Sequence, residues 1–306
     1  MNLYQANEVT KMLLEFKCSN HRSIKEKVSF SMIAGSDNTS EELLNKFGNF
    51  RILRSAVIYG ANGSGKSNFI SALSFMRDLV SNSINHQPGQ GVFQARHKLS
   101  AEETPSEYSI QFVRNDIRYA YGFSVKQNLI QDEYLYYFPR GRQVKVFERN
   151  GLDVRPGDRY KGVFDVSISI LKDNRLFLSC AANYSNIKEI EEAFMFFNTD
   201  IVVYNPEINN WTEYSIELMQ NNDMIKKVFV DMLRALGTGA KDVKVKLEKI
   251  KLTDLPQELQ LPDALKSLLG TQEGNRIEAK VIYDQFEVDL MTEESTLSLI
   301  HISEPT

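Results

Sequence analysis

The chain of 306 residues has only two cysteines, Cys18 and Cys180, far apart and without partners at metal-ligand spacing. This scarcity excludes a disulfide scaffold and a zinc site. Neither thiol is paired with a base in the sequence, so both are expected to be reduced and structural. Long apolar runs are missing as well. Runs such as Ala56 to Tyr59 and Ile201 to Tyr204 fall far short of the roughly 20 residues that span a bilayer. The opening MNLYQANEVTK has no charged-then-apolar leader, so the chain is expected to be cytoplasmic and free of membrane. Internal repeats and low-complexity tracts are absent. Basic residues number 36 against 40 acidic ones, a net charge of −4, which excludes a global basic footprint for nucleic acid. With 42% hydrophobic and 25% charged residues, the composition is that of a globular chain with one large or two modest domains.

What is present is the string GANGSGKS, Gly60 to Ser67, which fits the phosphate-binding pattern GxxxxGK[ST]. Its setting fits too. RSAVIY before it reads as a buried strand, and Lys66 to Val80 after it carries Phe69, Leu73, Met76, Leu79 and Val80 at helical spacing. Gly60, Gly63 and Gly65 are expected to allow positive φ and to bring successive N–H groups onto one anion. Lys66 would reach the β and γ phosphates, Ser67 would ligate Mg²⁺, and the helix N-terminus would add positive charge beneath them. The expected cofactors are therefore ATP and Mg²⁺. The expected binding set is Gly60, Ala61, Asn62, Gly63, Ser64, Gly65, Lys66, Ser67 and Asn68, joined by Gln94 on grounds given below.

Two local basic clusters stand out. Arg140, Arg142 and Lys145 lie beside the aromatic run Tyr134 to Phe138, and such aromatics pack in a core more often than they stack on bases. Lys241, Lys244, Lys246, Lys249 and Lys251 alternate with Val243, Val245 and Leu247, the signature of a strand with one wet face. That solvated face is the first reading of the second cluster, with DNA contact as the alternative.

Along the chain, Met12 to Lys17 and Lys27 to Ile33 read as strands around a polar turn. Gly35 to Asn49 reads as a loop with a short helix at Glu41 to Phe47, and Asn85 to Pro105 as a mobile connection. Strands are expected at Tyr108 to Val113, Arg118 to Lys126, Leu129 to Tyr137 and Gln143 to Glu148. Turns at Asn115-Asp116, Gln127-Asn128 and Pro139 to Gly141 make them an antiparallel meander. Helices are expected at Ile187 to Phe197 and Ile225 to Leu236, with an apolar strand at Asp200 to Tyr204 between them. Strand character returns at Lys241 to Leu252. Leu255 to Leu269 reads as polar with one helical stretch, and a hairpin of Arg276 to Tyr283 with Gln285 to Leu290 follows. The fold class is α/β, with a P-loop strand-helix core, the meander and a helical insertion. The expected divisions are 1–154, 155–240, 241–296 and 297–306, the first boundary set where RPGD interrupts the sheet.

LLEFKCSNHRSIKEKVSFSMIAG (Leu13 to Gly35), AVIYGANGSGKSNFISALSFM (Ala56 to Met76), IRYAYGFSV with DEYLYYF (Ile117 to Phe138) and RLFLSCAANY (Arg175 to Tyr184) together resemble ABC-class ATPase heads of the SMC and RecF branch. More closely, they resemble the bacterial AAA-domain ATPases related to the OLD and Septu-type proteins of phage-defence loci. The resemblance implies an ATPase that works as a homodimer, sandwiching nucleotide between a P-loop and the partner's signature serine loop. It also implies a conformational signal passed to an effector or nuclease partner. Asn62, Gly63, Ser64 and Gly65 would supply backbone donors. The family senses Mg²⁺ with a glutamine, for which Gln94 in GVFQAR and Gln111 in YSIQFV are the candidates. Arg22 and Ser23 resemble positions on the adenine side of the site, and a plain surface turn fits them equally. The alternative function is an ATP-gated DNA clamp of RecF or SMC type. A small-molecule kinase is disfavoured by the meander.

Such heads require a signature motif, a Walker B strand and a switch histidine beyond the insertion, and none is present here. Glu293-Glu294-Ser295-Thr296 resembles the start of an E-S-x-G-T signature, after which the chain reads LSLIHISEPT. That string is the translation of CTG TCT CTT ATA CAC ATC TCC GAG CCC ACG, a transposase adaptor of sequencing libraries. Leu297 to Thr306 is therefore expected to be an artefact and the second half of the head incomplete. His301 is then no switch residue, and this chain is expected to bind ATP with little turnover.

Overall fold

The computed structural model describes residues 10–36, 41, 44–203, 210–251, 273–283, 287–289 and 295–296. The chain divides into two units, Met1–Val203 and Tyr204–Thr306. The boundary expected near 154 lies inside the first.

In the first unit, β1 (Lys11–Ser19) buries every second side chain, Leu14, Phe16 and Cys18, the period that puts one strand face on a core. It pairs antiparallel with β2 (Val28–Ser31) on one side. A short hairpin follows, β3 (Leu44–Phe47) and β4 (Phe50–Leu53). The helix expected at 41–47 is thus a strand over 44–47. Phe47, Phe50 and Ile52 pack with Leu14 and Val113, and Gly48 takes φ +54 in the two-residue turn, so hairpin packing overrides local helix propensity. Helix α1 (Lys66–Asn82) then buries Phe69, Ala72, Met76, Leu79 and Val80. At about 1.5–3 kcal/mol for each large side chain, this apolar face, more than intrinsic propensity, holds the helix on the sheet.

The meander forms as β5 (Ser106–Arg114), β6 (Ile117–Lys126), β7 (Leu129–Phe138) and β8 (Val144–Asn150). Both tight turns, Asn115-Asp116 and Gln127-Asn128, have two consecutive left-handed residues, the two-residue hairpin geometry that suits strand twist. A further strand, β9 (Asp153–Pro156), pairs with β8 after Gly151, so the sheet runs on into the first part of RPGD. The seven strands lie in the order β2-β1-β5-β6-β7-β8-β9, each pair antiparallel.

Helices α2 (Asp165–Ser169), α3 (Phe177–Tyr184) and α4 (Lys188–Met195), with a π-helical turn at Phe196–Asp200, share one core with α1 and the sheet. Phe196 stacks on Phe112 at 3.8 Å, and Phe177 meets Phe147 edge-on at 4.8 Å. The strand expected from Asp200 is not formed. Asp200 closes the π-helical turn, where its carboxylate accepts from Arg114 at 2.7 Å, and 201–203 join no strand ladder among the described residues, Ile201 N–H donating instead to the Phe196 carbonyl at 3.0 Å. The fully buried pair Glu133–Arg149 ties the sheet to α3. Glu133 accepts from Tyr121, from the backbone N–H of Phe177 and Leu178, and from Arg149, capping α3 from another element.

In the second unit, α5 (Asn210–Asn221) and α6 (Asp223–Ala235) pack on β10 (Asp242–Lys251) and β11 (Glu273–Ile282), with β12 (Glu287–Asp289) and β13 (Ser295–Thr296) completing an antiparallel sheet. Asn222 caps α6 by accepting from Met224 N–H at 3.0 Å, and Gly237, at φ +71, follows its end. The expected helical stretch at 255–269 and the expected artefact at 297–306 lie outside the described residues.

Candidate nucleotide site

The segment before the loop was expected to be a buried strand. Here 55–60 pairs with no strand among the described residues, leaving Val57 82% and Tyr59 88% exposed. Without a neighbouring ladder, the apolar run has nothing to bury against.

The loop itself has the expected form at two of its three glycines. Gly63 takes φ +79 and Gly65 φ +96, whereas Gly60 is not left-handed. Gly60 precedes the turn closed by Ser64 N–H on the Ala61 carbonyl, so only the residues after it need the unusual backbone. Lys66 opens α1, and its Nζ donates back to the carbonyls of Gly60 (2.7 Å) and Ala61 (2.8 Å), which holds the ammonium against the loop. The first turn of α1 has no side-chain cap and no acidic residue. Its leading N–H groups therefore lack the intrahelical, capping and charge partners that helix starts ordinarily find, the condition in which an external anion is attracted.

Around the loop, Asn68 donates to Ser23 Oγ at 2.7 Å, and a methyl group placed on Gly65 would sit 3.2 Å from the same oxygen. The 20–23 turn is strained, with Asn20 and Arg22 both at φ +51, and Arg22 N–H donates to the Ala95 carbonyl at 2.6 Å. Gln94, one residue before, is thereby tethered to the turn that touches Gly65 and Asn68, and its Oε1 is buried without a hydrogen-bond partner. Gln111 is spent elsewhere, donating to Glu15 at 3.2 Å on the sheet. The long connection carrying Gln94 was expected to be mobile. Several contacts pin it instead: Val92 N–H to the Asn128 carbonyl, Asn174 to the carbonyls of Gln87 and Gln90, and Asn20 to Thr104.

A pocket of about 260 Å³ opens beside Gly65 and Lys66, walled by Ile24, Val28, Phe30, Tyr59 and Phe69. These apolar walls were not legible as site residues. They come from the turn after β1, β2, the segment before the loop and α1, which only the folded chain brings together.

Residues 55–161 match the family model described as "AAA domain, putative AbiEii toxin, Type IV TA system". The match supports a nucleotide-binding, ATPase-like domain over those residues. The match covers roughly a third of the chain, from just before the P-loop to just after β9. No match is found among curated proteins. Away from the loop, both cysteines are buried, which pushes the Cys18 thiol up to about 11 and that of Cys180 up to about 12. Among the described residues no cluster of His, Cys, Asp or Glu could hold a metal ion, and no helix is long and apolar enough to cross a membrane. In the first basic cluster, Lys145 pairs with Glu148 at 3.0 Å and Tyr137 is buried. In the second, the ladder sets Lys246 opposite Glu278 and Lys251 opposite Glu273, and Val243 is buried.

Proposed function

We propose that the chain binds ATP with Mg²⁺ through Gly60 to Asn68 and Gln94, as the nucleotide-holding part of an ABC-class head related to the OLD and Septu-type ATPases. In the dimeric head, ATP binding and hydrolysis switch conformation and signal to a nuclease or other effector in defence against phage. The observation that carries the reading is the uncapped, acid-free start of α1 beneath two left-handed glycines, with the Lys66 ammonium held on the carbonyls of Gly60 and Ala61. The residues fit the ligand. Gly63 and Gly65 free the backbone amides, Lys66 supplies a fixed positive charge, and the Ser67 hydroxyl sits at the second helical position for Mg²⁺. The pocket walled by Phe30, Tyr59 and Phe69 suits a flat base. When bound, Mg²⁺ neutralises charge on the β and γ phosphates.

Gln94 is the better choice for the sensing glutamine, since its buried Oε1 is unpartnered and its backbone neighbour is tied to the 20–23 turn. We expect binding with little turnover by this chain. Titration calorimetry with ATP, with and without Mg²⁺, tests the assignment. Gln94→Ala should erase most of the Mg²⁺ dependence and Gln111→Ala should leave it. The reverse pattern would overturn the choice of Gln94, and nucleotide binding insensitive to Mg²⁺ in the unaltered chain would overturn the metal site.

A further inference from the structure

Helix α6 is apolar on two faces, and only one of them is packed among the described residues of its unit. Val230 is buried, with Phe229 and Leu233 packed beside it, in a core that includes Ile216, Met219 and Val243. On the other side Met224, Val228 and Met232 recur at four-residue steps, 76%, 60% and 51% exposed. Residues four apart stand on one helical face, so the three form a continuous apolar stripe about 12 Å long. An amphipathic helix on its own core needs one apolar stripe, not two.

The charges along the outer flank of this stripe say what covers it. Asp223, Lys227, Asp231 and Arg234 alternate in sign, and Asp231 and Arg234 already pair within the helix at 3.4 Å. Such a row read backwards has every sign inverted. Two copies laid antiparallel about a two-fold axis beside Val228 therefore set Asp223 against Arg234 and Lys227 against Asp231. A parallel two-fold pair would turn this charged row towards the partner's other flank and leave it without its complement, and a partner flank of one sign would be repelled at every second position.

We propose that α6 pairs antiparallel with α6 of a second copy of this chain, Val228 packing near the two-fold axis between Met224 and Met232. The contact is homotypic and separate from any dimer held by nucleotide. A single pair of 13-residue helices is smaller than the about 800 Å² per partner of stable interfaces, so association is weak and concentration-dependent.

Sedimentation velocity of the full chain without nucleotide tests this, alongside oxidative cross-linking of Val228→Cys. The buried thiols Cys18 and Cys180 give that variant a quiet background. We expect a monomer–dimer equilibrium that Val228→Glu abolishes with circular dichroism unchanged, and a disulfide-linked dimer from Val228→Cys. Lys227→Glu and Asp231→Lys should each weaken association about tenfold, and the two together should restore it. A chain still monomeric near 1 mM, the weak limit of specific association, would overturn the proposal. So would dimers indifferent to Val228→Glu, or a double charge reversal no better than the single ones, which would mean a different occupant of the stripe.

Discussion

Replacing Gly65 with alanine should uncouple the loop from nucleotide while leaving the fold in place. Gly65 sits at φ +96, ψ 5, at the N-cap of α1, a backbone conformation that residues with a Cβ rarely adopt. Holding alanine there costs about 1–3 kcal/mol, and the loop can escape the strain by returning φ to negative values. That rotation turns the following amide away from the anion, so about 2 kcal/mol of strain becomes a loss of affinity of about 30-fold. Steric contact is the lesser effect, since the new methyl would lie 3.2 Å from Ser23 Oγ, a hydroxyl able to move by a few tenths of an ångström. Two comparisons separate the causes. Gly60→Ala adds a methyl 3.0 Å from Ser64 Oγ at a φ that is not left-handed, and should change affinity little. Ser23→Ala combined with Gly65→Ala should fail to restore binding. Calorimetric titration with ATP and Mg²⁺ reads all three. Recovery in the double variant would show that the crowding of Ser23, and not the torsion of Gly65, governs the loop, and an unchanged Gly65→Ala affinity would refute the torsional reasoning altogether.

Other consequences concern the frame that carries the loop. Glu133→Ala strands Arg149 in a fully buried site and uncaps α3, so urea denaturation should show a loss of about 3–5 kcal/mol; a loss under 1 kcal/mol would mean that the pair is dispensable. His21, buried between Tyr108 and Ser71, is held neutral by its burial, aided by Arg22, with its pKa lowered from 6.5 to about 4. The unfolded chain binds a proton there between pH 6.5 and about 4 and the native one does not. Native stability is therefore full above pH 6.5 and falls as pH drops towards 4, by up to about 3 kcal/mol. His21→Gln should flatten that slope in urea melts taken across the interval, and an identical slope in the variant would rule out His21 as its source. Phe69→Ala removes a ring packed on Phe16 at 5.3 Å from the base of the loop helix, and should cost about 3–4 kcal/mol by thermal melting; a change below 1 kcal/mol would show that this end of α1 is not anchored by its core face.

Much of this was readable in advance for reasons that are local. The spacing of glycines, Lys66 and Ser67 specifies a loop conformation that needs no distant partner, and the meander declares itself through period-2 alternation and paired turn residues such as Asn115-Asp116. What escaped depends on pairing at long range. Leu44–Phe47 is a strand because Phe47 and Phe50 reach Leu14 and Val113, and 55–60 lacks a ladder because no described strand lies against it. The tether between Arg22 and Ala95, which singles out Gln94, links residues 73 apart. Glu133 carries no signal in sequence as a helix cap, because the helix it caps begins 44 residues later at Phe177. The second apolar stripe of α6 was hidden for the opposite reason. Ile225 to Leu236 reads as an ordinary amphipathic helix until its buried face is known.

The most direct test of the nucleotide site is the affinity of the Lys66→Ala chain for ATP with Mg²⁺, measured by calorimetry beside the unaltered chain. Among the described residues Lys66 Nζ hydrogen-bonds to the Gly60 and Ala61 carbonyls of its own loop, so the substitution should leave circular dichroism and the melting temperature in place. Loss of measurable ATP binding in a folded Lys66→Ala protein is the predicted result. Equal affinity in the two chains would contradict the account.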